Sequence, residues 1–247
     1  RFGPSSAVMM TAAELAVPFA MQLGERGWGL VDGFASGPEA DALRSLVLAM
    51  RASGRLRLGH NSHEGTASSG ATKNDEYAFL DSPELEGLMA EPLRRCARRL
   101  NQFIVCLMRE QAVPALEGVQ LTQGRPMIAV YPGGGAHYGR HYDATSHGSG
   151  SNGRVLTFIL YLNPFWKRTD GGCLRLLESL HDAGGTDVEP LHGRLVGFLC
   201  RDRCPHEVLP CWADRVAVTI WYYDGTRLAE RCQSGGGDIA GFGFEAD

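Results

Sequence analysis

The stretch MIAVYPGGGAHYGRHYD, running from Met127 to Asp143, decides both the fold and the chemistry predicted for this chain. It begins with an apolar, β-favouring run that ends at Pro132 and three glycines, a pattern typical of a strand followed by a tight turn. In an extended strand, residues i and i+2 point to the same side. His141 and Asp143 are therefore predicted to project together, while Tyr142 points away.

Two later residues, His206 and Arg215, complete the candidate site. His206 and Arg215 lie on separate predicted strands. Two histidines and one carboxylate are the ligand set that holds a non-haem Fe(II) by one face and leaves the opposite positions open. A guanidinium is always charged and binds a carboxylate with two parallel hydrogen bonds. The set therefore predicts Fe(II), with a 2-oxo acid such as 2-oxoglutarate and O2 as co-substrates.

Two alternatives to this ligand set follow from the sequence. His137 and His147 flank the candidate pair and match it on spacing, but only His141 shares a strand face with a carboxylate. A structural zinc site is the second alternative, with the C-x3-C-x-H-x4-C ligands Cys200, Cys204, His206 and Cys211. Zinc sites favour tight C-x2-C pairs, so buried thiols are the preferred interpretation of these cysteines.

The first third of the chain is predicted to be helical with one strand. Thr11 and Glu14 form a capping box that begins a helix to about Leu23, which Pro18 shortens or kinks. Further helices are predicted over residues 39–52 and, beginning at Ser82, over residues 82–108 with a break near Pro92. Residues 28–34 form the predicted strand, and residues 54–74 form a long polar loop.

From Met127 onward, short β-rich runs alternate with clusters of Gly, Pro, Asn and Asp. This spacing predicts a barrel or double-sheet jelly roll, with the helices packed on one outer face. A Gly-rich tail follows the last strand. The predicted strands cover residues 127–131, 141–143, 154–162, 172–177, 195–199, 207–209 and 216–223.

Composition places the chain among ordinary globular proteins. Of its 247 residues, 44% are hydrophobic and 21% charged, and the net charge of −4 gives no electrostatic footprint for nucleic acid. No apolar run is long enough to cross a bilayer, and the N-terminus lacks a signal-peptide pattern. Seven cysteines, an odd number in mostly apolar surroundings, favour reduced thiols and a cytoplasmic or nuclear location.

These motifs resemble the prolyl hydroxylases that act on hypoxia-inducible factor and their bacterial and protist relatives. The resemblance is carried by the stretch that ends at Asp143, by YLN at residues 161–163, by GGCLR at residues 171–175, and by PHEV at residues 205–208. It continues through RVAVTIWYYD at residues 215–224. The match is specific over the second half of the chain and looser upstream.

The resemblance implies a double-stranded β-helix and 4-hydroxylation of a prolyl residue in a protein, with 2-oxoglutarate decarboxylated to succinate. It implies a role in oxygen sensing and L-ascorbate as reductant. His141, Asp143 and His206 match the iron ligands, and Arg215 matches the co-substrate arginine. Co-substrate or pocket positions are matched by Tyr161, Thr219, Tyr131, Met127, Leu174 and Val208. Substrate contacts are matched by Tyr138, Arg154, Trp221, Lys73 and Asp75.

The expected organisation is a single dioxygenase domain over residues 1–247. Helical support spans about 8–112, the β-helix core about 118–224, and a tail residues 225–247. The expected partner is a protein or peptide that contains the target proline, with no nucleic acid, no membrane and a monomeric state. Departures from the family pattern lie at the substrate entrance: Lys73 replaces an arginine, and the loop over residues 144–153 is longer.

Alternative functions are an oxygenase of the same fold acting on an amino acid, small molecule or nucleobase, and a metal-free jelly-roll binding module. A nucleobase is disfavoured because Trp221 stands where repair enzymes of this fold carry a second arginine. The binding module is disfavoured by the intact triad.

Overall fold

A computed structural model describes residues 10–59, 73–80, 91–144, 152–200 and 204–226 of the chain. The predicted helix start at Ser82, most of the polar loop and the Gly-rich tail lie outside these residues. Three α-helices and twelve β-strands occur in the described part. None of its helices is long and apolar enough to cross a membrane.

The helices are α1 (Ala12–Arg26), α2 (Gly37–Ala52) and α3 (Glu91–Arg109). The capping box of Thr11 and Glu14 is present at the start of α1, as the sequence predicts. Helix α2 matches its predicted range closely, because its apolar residues recur at helical spacing on one buried face. In α3, Pro92 lies in the first turn of the described helix, a position that tolerates proline.

The prediction that Pro18 shortens α1 is wrong. The helix continues through Pro18 to Arg26 and ends at Gly27, whose φ of 80° is left-handed. Proline removes one backbone hydrogen bond from a helix. Here the buried face formed by Leu15, Ala16, Phe19, Ala20 and Leu23 packs against the rest of the protein and offsets that loss.

The strands form two antiparallel sheets. The larger sheet has the order β1-β10-β7-β12-β5-β3-β2, with β4 also paired to β12, and the smaller has the order β6-β11-β8-β9. Two antiparallel sheets that enclose a hydrophobic cluster confirm the jelly-roll fold. The strands are β1 (Trp28–Val31), β2 (Arg57–Leu58), β3 (Glu76–Phe79), β4 (Leu121–Gln123), β5 (Met127–Tyr131), β6 (Ala136–His141), β7 (Arg154–Tyr161), β8 (Leu174–Leu176), β9 (Thr186–Val188), β10 (Leu195–Leu199), β11 (His206–Cys211) and β12 (Arg215–Asp224).

Two strand predictions need correction. The strand predicted to begin at His141 is β6, which instead ends there, so Asp143 lies beyond the strand. The strand predicted over residues 28–34 ends at Val31. Four short strands (β2, β3, β4 and β9) are absent from the prediction, since two to four residues give too short a pattern to indicate a strand.

Two hydrophobic clusters lie on opposite faces of the larger sheet. One joins the helices to the outer face, where Phe19 of α1 and Phe103 of α3 pack on Phe158 of β7. This confirms that the helices pack on one face. The second cluster fills the space between the two sheets and includes Tyr161, Phe198 and Trp221. The candidate site opens from this inner cluster.

Candidate active site

The described structure brings His141, Asp143 and His206 together between the two sheets. The Nε2 atoms of His141 and His206 lie 3.6 Å and 3.8 Å from the Asp143 Oδ1 atom. One ligand atom from each of the three residues lies within 4.8 Å of the other two, a spacing suited to one metal ion. His141 and His206 are register partners on β6 and β11, which fixes their rings side by side.

Backbone carbonyls set the orientation of both imidazoles. The Nδ1 of His141 is 2.8 Å from the Gly139 carbonyl oxygen, and the Nδ1 of His206 is 3.1 Å from that of Cys204. Since a carbonyl only accepts, Nδ1 carries the proton in each ring and the Nε2 lone pair faces the shared point. Cys204 adopts a left-handed φ of 58° immediately before Pro205 and His206.

The electrostatics keep the site ready to bind a cation. Burial, and secondarily the neighbouring His141, lower the pKa of His206 to about 4, so its ring is neutral at physiological pH. Burial alone would raise the pKa of Asp143. The neighbouring His141 and His206 rings and the Arg154 guanidinium outweigh burial and hold that pKa well below its usual range. An ionised carboxylate beside two imidazoles whose Nε2 atoms face it is a donor set that suits Fe(II).

The second oxygen of Asp143 is held by residues that the sequence analysis did not assign to this task. The Thr157 hydroxyl and the Trp221 indole N–H donate to Oδ2 at 2.5 Å and 3.0 Å. The Asn152 amide also donates to the Asp143 carbonyl oxygen, at 2.8 Å. One signal was available for Thr157, because it is the only threonine or serine in the otherwise apolar run from Val155 to Leu160 of β7.

Arg215 is buried at the start of β12, beside the inner cluster. Its Nε donates to the Gly172 carbonyl oxygen at 2.8 Å, and its guanidinium lies over the rings of Tyr131 and Tyr161 at 5.1 Å and 4.9 Å. The Arg215 Nη2 and the Tyr161 hydroxyl are buried without a hydrogen-bond partner among the described residues. A buried cation and a hydroxyl left unsatisfied fit a carboxylate ligand such as that of 2-oxoglutarate.

The other predicted co-substrate positions line the same inner space. Thr219 is buried, and its strand register places it beside Met127 of β5. Leu174 of β8 and Val208 of β11 close the space from the smaller sheet. The structure therefore groups every predicted co-substrate residue between the two sheets, and their individual roles stay predictions.

Two of the predicted substrate contacts touch the triad: Tyr138 stacks on His141, and Trp221 donates to Asp143. The Tyr138 ring stacks on His141 with centroids 3.7 Å apart, and the Arg154 guanidinium lies 4.2 Å from the Trp221 ring centroid. Lys73 and the buried Asp75 form an ion pair of 3.1 Å. Burial raises the pKa of Asp75, although the Lys73 charge opposes that shift.

The alternative zinc site receives no support from the geometry of the described residues. Each candidate thiol is engaged away from His206: Cys200 contacts the Thr157 hydroxyl, Cys204 donates to the Gly27 carbonyl oxygen, and Cys211 donates to that of Leu209. The six cysteines in the described part of the chain are free thiols.

A jelly roll with a buried His-Asp-His set and a buried arginine facing the same space defines the non-haem iron oxygenase class. The sequence of residues 126–223 matches the 2OG-Fe(II) oxygenase superfamily. Prolyl hydroxylase EGLN3 from Homo sapiens is 30% identical over 229 residues, covering 89% of this chain and 86% of the relative. The chain belongs to the 2OG-Fe(II) oxygenase superfamily, in the family of the EGLN prolyl hydroxylases.

Two solved structures support this placement. One is a Trichoplax adhaerens prolyl hydroxylase in complex with a hypoxia-inducible factor oxygen degradation domain peptide, with a TM-score of 0.74 and 26% identity, covering 89% of this chain and 93% of that one. The other is a Pseudomonas putida prolyl-4-hydroxylase, with a TM-score of 0.66 and 27% identity, covering 83% and 97%. The chain spans about half the length of the Homo sapiens Egl nine homolog 1 that it also matches, at 28% identity and 49% coverage of that protein.

Proposed function

We propose that this chain is an Fe(II)- and 2-oxoglutarate-dependent dioxygenase that 4-hydroxylates a prolyl residue in a protein. The observation that carries the proposal is the juxtaposition of the buried His141 and His206 and the partly buried Asp143 with the buried Arg215 between the sheets. Family membership supports the same chemistry. Together, the iron and its co-substrates supply an oxidant strong enough to hydroxylate an unactivated C–H bond, and ascorbate serves as the reductant.

The chain's own residues would bind, orient and shield the reactants. His141, Asp143 and His206 would hold Fe(II) on one face. The Arg215 Nη2 and the Tyr161 hydroxyl would bind the distal carboxylate of 2-oxoglutarate, with Thr219 beside them. The buried apolar residues of the inner cluster exclude water from this space, which strengthens those charged hydrogen bonds and restricts side reactions.

The substrate is proposed to be a peptide segment that presents its proline at the open side of the triad. Tyr138, stacked on His141, and Trp221, beneath the Arg154 guanidinium, offer aromatic surfaces to a pyrrolidine ring. Lys73 pairs with Tyr138 through an isolated β-bridge and forms an ion pair with the buried Asp75. The Trichoplax relative was solved with a peptide of a hypoxia-inducible factor, which supports a protein substrate here and an oxygen-responsive role.

The proposal extends to the partners, the oligomeric state and the location of the protein. The net charge of −4 disfavours a nucleic-acid partner, and a monomer acting in the cytoplasm or nucleus is proposed from the reduced thiols and the family. Size-exclusion chromatography with light scattering tests the monomeric state.

The decisive experiment incubates the protein with Fe(II), 2-oxoglutarate and ascorbate, in separate reactions with a library of proline-containing peptides and with free amino acids. Mass spectrometry is expected to find one oxygen atom added to proline, together with succinate. The His206→Ala variant is the matched control and should yield neither product. Succinate formation with oxygen added to a free amino acid, and none to any peptide, would favour the small-molecule oxygenase instead.

A further inference from the structure

The two oxygens of the Asp143 carboxylate have different surroundings. Oδ1 faces the Nε2 atoms of both histidines, at 3.6 Å and 3.8 Å. Oδ2 points away from that shared point and accepts from the Thr157 hydroxyl and the Trp221 indole. One oxygen is thus directed at the metal position, and the other is already engaged by two donors.

A buried thiol stands behind Thr157. The Cys200 Sγ lies 3.0 Å from the Thr157 Oγ1, and both side chains are 1% exposed. A threonine hydroxyl has a single hydrogen, and an ionised carboxylate can only accept, so that hydrogen points to Asp143. The Thr157 oxygen then accepts from the Cys200 S–H. Burial raises the pKa of Cys200, which keeps the thiol protonated and able to donate.

The donors are fixed by strand pairing in the larger sheet. Thr157 of β7 is the register partner of Trp221 on β12 and of Phe198 on β10. The Cys200 N–H, just after β10, bonds to the Val155 carbonyl oxygen at 2.9 Å. Asp143, in contrast, lies past the end of β6 in the smaller sheet. The larger sheet therefore holds the Asp143 carboxylate in place, although Asp143 follows a strand of the smaller sheet.

We propose that Cys200, Thr157 and Trp221 form a positioning device that presents Asp143 to the metal through a single oxygen. Thr157 and Cys200 act here as positioning residues, each one hydrogen bond further from the metal. The inference rests on the proposed function, because it assumes a metal ion at the triad. Without the Thr157 hydroxyl, Oδ2 keeps only the Trp221 hydrogen bond, and the carboxylate rotates more easily about its terminal torsion.

The test measures metal affinity without 2-oxoglutarate or substrate, by titrating Mn(II) and following the free ion by electron paramagnetic resonance. Thr157→Val keeps the side-chain shape and removes the hydroxyl, and it should weaken Mn(II) binding about 10- to 100-fold, the range for lost outer-sphere partners. Thr157→Ser restores the hydroxyl and should bind within about 3-fold of the wild type. Cys200→Ala should lose about 2- to 10-fold, as for one neutral hydrogen bond, while Cys200→Ser should lose less.

The visible absorption of bound Co(II) is a second readout that a merely structural role would not change. A carboxylate that turns and binds through both oxygens raises the coordination number, so Thr157→Val should weaken the visible bands relative to Thr157→Ser. Equal Mn(II) affinities and identical Co(II) spectra for the Val and Ser variants would overturn the inference. If circular dichroism shows that Thr157→Val does not fold, the comparison of Cys200→Ala with Cys200→Ser decides. Equal Mn(II) affinities of these two variants would then overturn the inference.

The proposed function fails separately from this inference. A wild-type protein that binds no Mn(II), or binds it as well as His206→Ala does, would contradict the metal site itself. A wild-type protein that binds Mn(II) through His206 but ignores the Thr157 and Cys200 substitutions would contradict only the positioning device.

Discussion

Arg215 places a permanent charge in a buried position where its Nη2 has no hydrogen-bond partner among the described residues. Such a group is costly unless a ligand satisfies it. Arg215→Lys keeps the charge but loses the planar pair of donors, so we expect the KM for 2-oxoglutarate to rise about 10- to 100-fold, the effect of losing a charged hydrogen bond. The measurement is succinate formation against 2-oxoglutarate concentration.

The matched control for this prediction is Arg175→Lys. Arg175 also forms a paired interaction, with Asp187 at 2.7 Å and 2.9 Å, but on an exposed face of the smaller sheet. Its replacement should leave the KM unchanged. A normal KM in Arg215→Lys would remove Arg215 from co-substrate recognition.

Asp75 gives a pH-dependent prediction. Burial raises its folded-state pKa above the unfolded value, so folding disfavours the ionised form. The wild type therefore loses stability, relative to Asp75→Asn, as pH rises through the usual aspartate pKa of about 3.9 and toward the folded value. We expect the difference in Tm, variant minus wild type, to grow between about pH 3 and about pH 7. Glu117→Gln, at an exposed acid, is the control. A Tm difference between Asp75→Asn and the wild type that stays constant with pH would contradict the argument.

At the scale of single residues, the sequence was sufficient to identify side chains whose chemical type alone suits a metal or a carboxylate. His141, Asp143, His206 and Arg215 are identifiable because their side-chain types are those that bind Fe(II) and a carboxylate. The i and i+2 argument chose the correct pair, although Asp143 lies just past the strand. Thr157 was missed, since its value comes from a contact with Asp143 across two sheets. No spacing within β7 reports such a contact. The hydroxyl in an apolar strand was the available signal.

At the scale of elements, α1 carries an exposed proline inside a continuous helix. Pro18→Ala restores a backbone donor without disturbing the buried face, so it should stabilise the protein by about 1–3 kcal/mol, less the entropy gained by the unfolded chain. Urea unfolding should show a higher midpoint with an unchanged slope. Val17→Ala, at an exposed neighbour, is the control. An unchanged midpoint for Pro18→Ala would show that the helix already absorbs the missing bond.

The strands were predicted where they are long and apolar, and missed where they are short and polar. Strand β5 matches its predicted range because five buried residues precede an unambiguous turn. Strands β4 and β9 have three residues each and pair with β12 and β8 respectively. Their extended form depends on those partners, and three residues give too short a pattern to indicate it. The end of β6 at His141 was misplaced for the same reason.

At the scale of the whole molecule, a metal ion would join the two sheets. His141 and His206 belong to the smaller sheet, while Asp143 is held by Thr157 and Trp221 of the larger one. A ligand at 100 times its Kd adds about 2.7 kcal/mol of stability, which for a chain of this size raises Tm by about 5–10 °C. Thermal unfolding with Mn(II) should show this rise, and a chelator should reverse it. His206→Ala should show none, and an equal rise in that variant would contradict binding at the triad.

The jelly roll and the helices on its outer face could be predicted as a whole from the sequence. Alternating apolar strands, separated by turns, have few ways to bury both faces. The order of the strands within each sheet was not predicted, because it depends on long-range pairing such as that of β1 with β10.

The difference between residues on paired strands and residues in connecting segments has a consequence for the evolution of such a protein. His141, His206 and Arg215 are tied to strand register, while residues 144–153 follow Asp143 and connect β6 to β7 along the chain. Mutational drift there can redirect target choice while the reaction persists. A library randomised over residues 145–151 should therefore yield variants with new peptide preferences that still decarboxylate 2-oxoglutarate.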